Sequence, residues 1–357
     1  MKGFRAGFRN RNPLVLLVAA ALLVPALLGF EYFFTSGAWS AIPLKYLLRS
    51  PTDSFTYVSW VVGKNKQHPP MLPSIYITGG SAAREAITTD GALATLVDRF
   101  GGPQVAVWDL GSNNQNFAET MAVADNVPGR KAWLLIGVNR DRLTFFPSEN
   151  ENEVVGRDLL LKSTSLQRYV ADRYGRHKYS FTILPGIFSY LTSYAKKNGR
   201  ALLEGRPPAR TFVQHHYTLK RVLSVAKKRS LVDRWLQRRN PMFKSNLRFN
   251  LAMLEQILRR SRERGVHPVL VELPTNSRII GDRLNAVVAQ YRRPVQALAT
   301  KYGVPYLDFN AQAAIPNNDF YDISHLVEPG RVIWQRQLAR ELVKLLGPNA
   351  DGQAGQP

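Results

Sequence analysis

No cysteine occurs among the 357 residues. Disulfide bonds, thiolate metal sites and cysteine nucleophiles are thereby excluded. Acidic residues are scarce as well: 26 Asp and Glu stand against 48 Lys and Arg, giving a formal net charge of +22. A surplus of that size favours polyanions, whether nucleic acid, anionic lipid head groups or acidic polymers. Zinc-finger spacing, an aromatic RNA-binding signature and a Gly-rich phosphate loop are all missing. Adjacent His215 and His216 have no carboxylate or third histidine at helical spacing, so no metal is expected, and no cofactor is implied. Hydrophobic residues make up 45% of the chain, enough to pack one large domain.

Long apolar runs are also rare, and the exception is N-terminal. Residues 14–30 read LVLLVAAALLVPALLGF, with no charge. As a helix this run is about 26 Å long, close to the ~30 Å hydrocarbon core of a bilayer. Glu31 ends it, and Tyr32, Phe33 and Phe34 follow as an aromatic belt. Residues 1–12 are basic and are expected in the cytoplasm, residues 13–34 as a transmembrane anchor of the inner membrane, and the remainder outside. A cleaved signal peptide is the competing reading, since Ser36, Gly37 and Ala38 resemble a cleavage site. The apolar run is longer than the usual signal-peptide core, and bulky aromatics separate it from those small residues. Either way the domain is exported, which argues against nucleic acid as the partner of its basic surface.

Residues 35–70 read as a connector with short amphipathic pieces. From residue 71 the rhythm becomes α/β. Short apolar runs at 74–78, 104–110, 131–136, 267–273 and 304–309 suit buried parallel strands, and helical patterns such as 247–264 and 284–302 lie between them. Residues 71–346 are therefore expected as a doubly wound, mostly parallel five-stranded α/β domain. A basic, aromatic stretch at about 143–245 breaks the rhythm and reads as a helical insertion able to cover the active-site end of the sheet. Residues 347–357 are polar and Gly-rich, and read as a disordered tail.

Ligands bind beyond the carboxyl ends of strands in open parallel sheets. The unusual polar residues sit at those ends. Ser81 follows the first run, Gly111 to Asn114 the second, Asn139 the third, and Asp322 to His325 the fifth. A serine hydroxyl needs a base, and a histidine base needs a partner that fixes its tautomer. Ser81, His325 and Asp322 supply that set. The backbone N–H of Ser81, that of Gly111 and the side-chain amide of Asn139 are the expected oxyanion donors. Asn113, Arg140 and Arg142 are candidate substrate contacts at the edge of the same pocket. Arg173, Arg176 and Lys178 in the insertion are further cations near it.

The ordered blocks Gly79-Gly80-Ser81, Gly111, Gly137-x-Asn139 and Asp322-x-x-His325 resemble the SGNH (GDSL-like) hydrolase superfamily. The resemblance spans about residues 74–346, interrupted by the insertion. Two positions depart from the family pattern: Gly80 and Arg140 stand where acids are usual. Membrane-anchored branches of this kind are similar to the D-alanyl-transfer protein of teichoic acid modification and to SGNH-like proteins of polysaccharide O-acetylation. The resemblance implies an SGNH, flavodoxin-like fold and a serine esterase or O-acyltransferase acting on an anionic envelope polymer or glycan. It also implies a membrane-bound O-acyltransferase as partner. The alternative is a non-catalytic polymer-binding or assembly protein that kept the fold.

Overall fold

The computed structural model describes residues 13–129, 131–148, 159–175, 182–218 and 220–347. The basic segment 1–12, Arg176, Lys178 and positions 348–357 of the expected tail lie outside the described residues. The helices and strands run α1 (Pro13–Thr35), α2 (Ser54–Gln67), β1 (Ser74–Thr78), α3 (Ser81–Arg84), α4 (Asp90–Arg99), β2 (Ala106–Asp109), α5 (Phe117–Asn126) and β3 (Ala132–Val138). They continue as α6 (Thr164–Tyr174), α7 (Leu184–Leu203), α8 (Val225–Arg234), α9 (Asn240–Glu263), β4 (His267–Glu272), α10 (Asn285–Tyr302), β5 (Tyr306–Leu307) and α11 (Glu328–Leu346).

The five strands form one sheet in the order β2-β1-β3-β4-β5, with every pairing parallel. This is the doubly wound α/β architecture expected from the apolar runs. The sheet has no polar face, because helices cover both sides. Ile75, Ile77, Leu135, Val269 and Val271 face one core with Leu93, Trp334 and Leu338 of α4 and α11. Tyr76, Leu134, Ile136 and Leu270 face the other, with residues of α2, α5, α9 and α10. Burial on both faces is why the strands read as continuous apolar runs rather than alternating ones. Chain order reverses between β1 and β3, and the loops leaving those strands open a crevice there.

Two boundaries differ from expectation. Residues 35–70 are packed into the domain: α2 starts at an Asp53 cap and buries Val58, Val61 and Val62 in the same core as Tyr76. The crossover helix before β4 begins at Asn240 and seals the sheet with Phe243, Met253, Leu254 and Ile257.

Among the described residues, Leu14–Thr35 is the one helix long and apolar enough to cross a membrane. Its mean hydropathy is 2.4 and only 6% of it is buried. Glu31 lies within this helix rather than ending it, and is 6% exposed. Lys162 Nζ at 3.1 Å, Thr182 Oγ1 at 2.5 Å and the backbone N–H of Ile183 at 3.2 Å all donate to its carboxylate. The exit end of α1 is thus tied to the domain by a satisfied buried charge.

Helix α11 packs against the turn that leads into the loop carrying Asp322 and His325. A Cβ on Gly330 would sit 2.5 Å from the Asp319 carbonyl oxygen, so only glycine permits this approach. Gly330→Ala is expected to destabilise the fold by about 1–3 kcal/mol. A lowered denaturant midpoint with an unchanged slope checks this; an unchanged midpoint contradicts the close approach.

Candidate active site

Strand β1 ends in a turn that only glycine makes easily. Gly79 has φ +153°, and a Cβ there would meet Ala83 Cβ at 2.6 Å. The turn places Ser81 at the start of α3, where a first-turn N–H has no intrahelical acceptor. Ser81 Oγ lies 2.7 Å from His325 Nε2, although 244 residues separate them in sequence. His325 Nδ1 lies 2.8 Å from Asp322 Oδ2. An ionised carboxylate can only accept, so Nδ1 carries the proton and Nε2 of the neutral ring is left to accept from Ser81.

The second oxygen of Asp322 accepts the backbone N–H groups of Ser324 and His325, both at 2.9 Å. Burial would raise this carboxyl, but the His325 ring and the two N–H donors outweigh it and hold the pKa below the ordinary value. The loop is anchored from behind. Lys228 Nζ donates to the carbonyls of Phe320 and Asn317, each at 2.7 Å, and Asn276 Nδ2 donates to the Asp322 carbonyl at 3.1 Å. The ring of Tyr217 stacks on His325 with centroids 4.2 Å apart.

A cavity of about 480 Å³ opens over Ser81. Gly80, Ser81, Asn139, Asp322 and His325 line one side. The loop after β2 reaches the cavity through Asn114 and Gln115 rather than through Gly111. Gly111 packs against the back of α3, where a Cβ would meet Arg84 N at 2.6 Å. Its N–H donates to Asp109 Oδ1 at 3.0 Å and is not presented to the cavity. Asn114 takes φ +52°, a left-handed conformation that asparagine tolerates better than most residues. Among the described residues no acceptor meets the backbone N–H of Ser81, Asn114 or Gln115. Asn139 Oδ1 accepts the N–H of Arg142 at 3.0 Å, which leaves Nδ2 as the end able to donate into the cavity. The donors available to an oxyanion are therefore Ser81, Asn139 and the Asn114–Gln115 turn. The run of Asn after a strand end was the sequence signal for that turn.

The three expected substrate contacts have other partners. Asn113 Oδ1 accepts from Arg84 Nη1 at 2.7 Å, outside the cavity wall. Arg140 is 2% exposed, and its guanidinium sits 5.7 Å from the Trp235 ring centroid behind the wall. Arg142 does lie in the floor, also 2% exposed, but its donors are occupied. It donates to the carbonyls of Gly137 at 2.5 Å, Gln115 at 3.2 Å and Asn116 at 3.0 Å, and to Thr120 Oγ1 at 2.7 Å. Arg173 stands over the Phe249 ring at 5.1 Å, away from the cavity. The sequence placed Arg140 and Arg142 near the site; it did not show that both side chains fold inward, Arg142 onto carbonyls and Arg140 toward Trp235 and Asp141. The opposite wall comes instead from the insertion: Leu231, Arg234, Trp235, Arg238 and Arg239. Their spacing, i, i+3, i+4, i+7 and i+8, is that of one helix face and was visible in the sequence.

No family model and no curated protein matches this chain. Among solved structures it is similar to a lipase/acylhydrolase from Enterococcus faecalis at 13% identity. That match covers 77% of this chain and 98% of the other, with a TM-score of 0.36. The functional reading rests on the side-chain geometry.

Asp322→Asn should leave the fold intact but slow acylation of Ser81 by about 10³–10⁴-fold at neutral pH, because the tautomer is no longer enforced. Rates of phosphonate labelling measure this. Since the Asp322 pKa is depressed, its contribution to stability is complete above about pH 4 and disappears as pH falls through the lower folded value. The variant should therefore show a flatter loss of stability as pH falls below about 4. Arg142→Leu, which strands three carbonyls, should cost about 3–5 kcal/mol. Equal chemical-denaturation curves for this variant and the parent would remove the clamp role.

Proposed function

We propose that this chain is an exported, membrane-anchored serine esterase or O-acyltransferase of the SGNH kind. The observation that carries the reading is the continuous relay from Ser81 through His325 to Asp322, opening on a cavity where backbone N–H groups and the Asn139 amide lack acceptors. A structural serine cap would need no such histidine, and a structural histidine no such carboxylate.

In the first half-reaction Ser81 Oγ attacks the carbonyl carbon of an ester, and its proton passes to His325 Nε2. Asp322 steadies the imidazolium. The carbonyl electron pair collapses onto oxygen, which Ser81 N–H, Asn139 Nδ2 and the Asn114–Gln115 turn receive. The ester C–O bond then breaks, and the leaving alcohol takes the proton back from His325. In the second half-reaction a hydroxyl gives its proton to His325 and attacks acyl-Ser81, which restores the serine. Water as that hydroxyl makes an esterase; a sugar hydroxyl makes a transferase.

The placement of the anchor favours an acceptor standing off the bilayer. Helix α2 links the two regions. Its Ser54 Oγ accepts from the N–H of Asn113 at 3.4 Å, beside the cavity loop. At its other end Lys66 Nζ and Gln67 Nε2 donate to the carbonyls of Thr35 at 2.8 Å and Ser36 at 2.7 Å, where α1 ends. Fourteen helical residues span about 20 Å. That stand-off suits an envelope glycan or other polymer better than a membrane lipid, and the +22 charge suits an anionic one. We place the anchor in the inner membrane with the domain outside, and a membrane-bound O-acyltransferase as the acyl supplier.

A fluorophosphonate is expected to label the full chain stoichiometrically at Ser81, with no adduct on Ser81→Ala. A folded wild type that takes no label leaves the non-catalytic binding reading instead. Asn139→Asp keeps the acceptor for Arg142 but replaces the oxyanion donor with a charge, and should slow labelling about 10²–10³-fold.

A further inference from the structure

Three arginines, Arg234, Arg238 and Arg239, line the same cavity as Ser81. Arg234 ends α8, and Arg238 and Arg239 lie on the wide turn that follows it. Trp235–Arg239 is π-helical, with the Asn240 N–H bonded to the Trp235 carbonyl. Pro241 follows and has no N–H to continue the α-helical ladder. Such turns are rare and gather at functional sites.

The charges on this wall do not cancel. Among the described residues lining the cavity the acids are Asp322 and Asp141, and Asp141 is engaged: Trp235 Nε1 donates to Asp141 Oδ1 at 2.6 Å, and Arg140 Nη2 lies 3.8 Å from Oδ2. Arg239 Nη1 donates to Thr144 Oγ1 at 3.3 Å. Arg234 and Arg238 line the cavity as exposed residues, and their guanidinium groups make no hydrogen bond or ion pair with any described residue. Some surface arginines elsewhere find acids, as Arg283 does with Asp233 and Arg260 with Glu263 at 2.7 Å, and others such as Arg229 and Arg278 do not; what sets Arg234 and Arg238 apart is that they line the cavity of Ser81. Two unanswered guanidinium groups beside a nucleophile form a site for planar or tetrahedral anions, which arginine grips through paired N–H donors.

We infer that Arg234 and Arg238 bind an anionic group of the polymer, a carboxylate or a phosphate, next to the ester that Ser81 attacks. The inference rests on the acyl-transfer reading and narrows its substrate to acidic chains. The polymer lies between the catalytic side of the cavity and the turn, with an acidic unit at the rim and the acylated hydroxyl over Ser81. A neutral glycan would leave the guanidinium groups unmatched.

Protection of Ser81 tests this without knowledge of the natural substrate. The full chain in detergent is labelled with a neutral aryl phosphonate, alone and with an oligogalacturonate, a glycerol-phosphate oligomer or a neutral cello-oligosaccharide of equal length. In the wild type an acidic oligomer is expected to slow labelling in a salt-sensitive way, and the neutral one not to. The more protective of the two acidic oligomers identifies carboxylate or phosphate. In Arg234→Ala/Arg238→Ala the oligomer concentration giving half protection should rise by about tenfold or more. Arg229→Ala, on the same helix but outside the cavity, should protect like the wild type. Equal protection by acidic and neutral oligomers overturns the inference, as does unaltered protection in the double variant or an equal loss in Arg229→Ala. If Ser81 takes no label, the acyl-transfer reading is what fails. Calorimetric titration with the same oligomers then decides the arginine site, and equal affinity in wild type and double variant overturns it.

Discussion

The guanidinium of Arg142 joins the end of β3 to the loop after β2 and the first turn of the helix that loop leads into. It donates to the end of β3 through the Gly137 carbonyl, to the loop after β2 through Gln115 and Asn116, and to α5 through Thr120. Its charge is answered by buried Glu119, which also caps α5 by accepting the Asn116 N–H at 2.7 Å. Its own backbone N–H binds Asn139 Oδ1 and so sets which end of that amide can donate to the cavity. The floor of the site therefore depends on one ion in a nearly dry interior. Buried charges are tolerated when their polar atoms find partners, and each of the three guanidinium nitrogens has one here.

A second buried charge network ties the insertion to the nucleophile. Glu85 follows α3 directly and is fully buried between Arg84 Nη2 at 3.3 Å and Arg331 Nη1 at 3.6 Å. The backbone N–H of His216 donates to it at 2.7 Å. That contact brings Tyr217 over the His325 ring. His215 belongs to the same contact, with Nε2 2.6 Å from the Thr88 carbonyl. The insertion thus contributes twice. Its 215–217 segment covers the His325 ring, and the end of α8 with the π-helical turn after it supplies the arginines that line the cavity. The triad and the surface facing it come from separate stretches of chain locked together by ions rather than by apolar packing alone.

The legible parts of this chain were those with local physical causes. Apolar runs bounded by Gly or Pro announced five strands, and all five formed, the fifth shortened to half-buried Tyr306–Leu307. Gly79 and Gly80 announced the sharp turn that aims Ser81. The three-residue spacing of Asp322 and His325 lets one carboxylate accept from both the ring and the loop N–H groups. What could not be read were the destinations of long polar side chains. Arg140 and Arg142 follow the strand that carries Asn139, yet both turn inward. Gly111 sits where an oxyanion glycine was expected, but its N–H caps Asp109, and the turn at Asn114 and Gln115 takes its place at the cavity. The packed helix α2 was hidden because half of its residues are polar or basic, and Ser54, Thr56, Ser59 and Asn65 among them are buried.

By itself, then, the sequence determined the chemistry available: a serine, a histidine, an aspartate and an asparagine at strand ends, no thiol, a large basic surplus and one apolar N-terminal helix. Period, turn residues and short spacings act within a few positions, so they survive in a linear reading. Tertiary structure decided which donors face the cavity, which arginines are structural and which remain unmatched across from Ser81. Those outcomes depend on contacts between residues tens to hundreds of positions apart, where the requirement that every buried polar group be satisfied selects one partner among many.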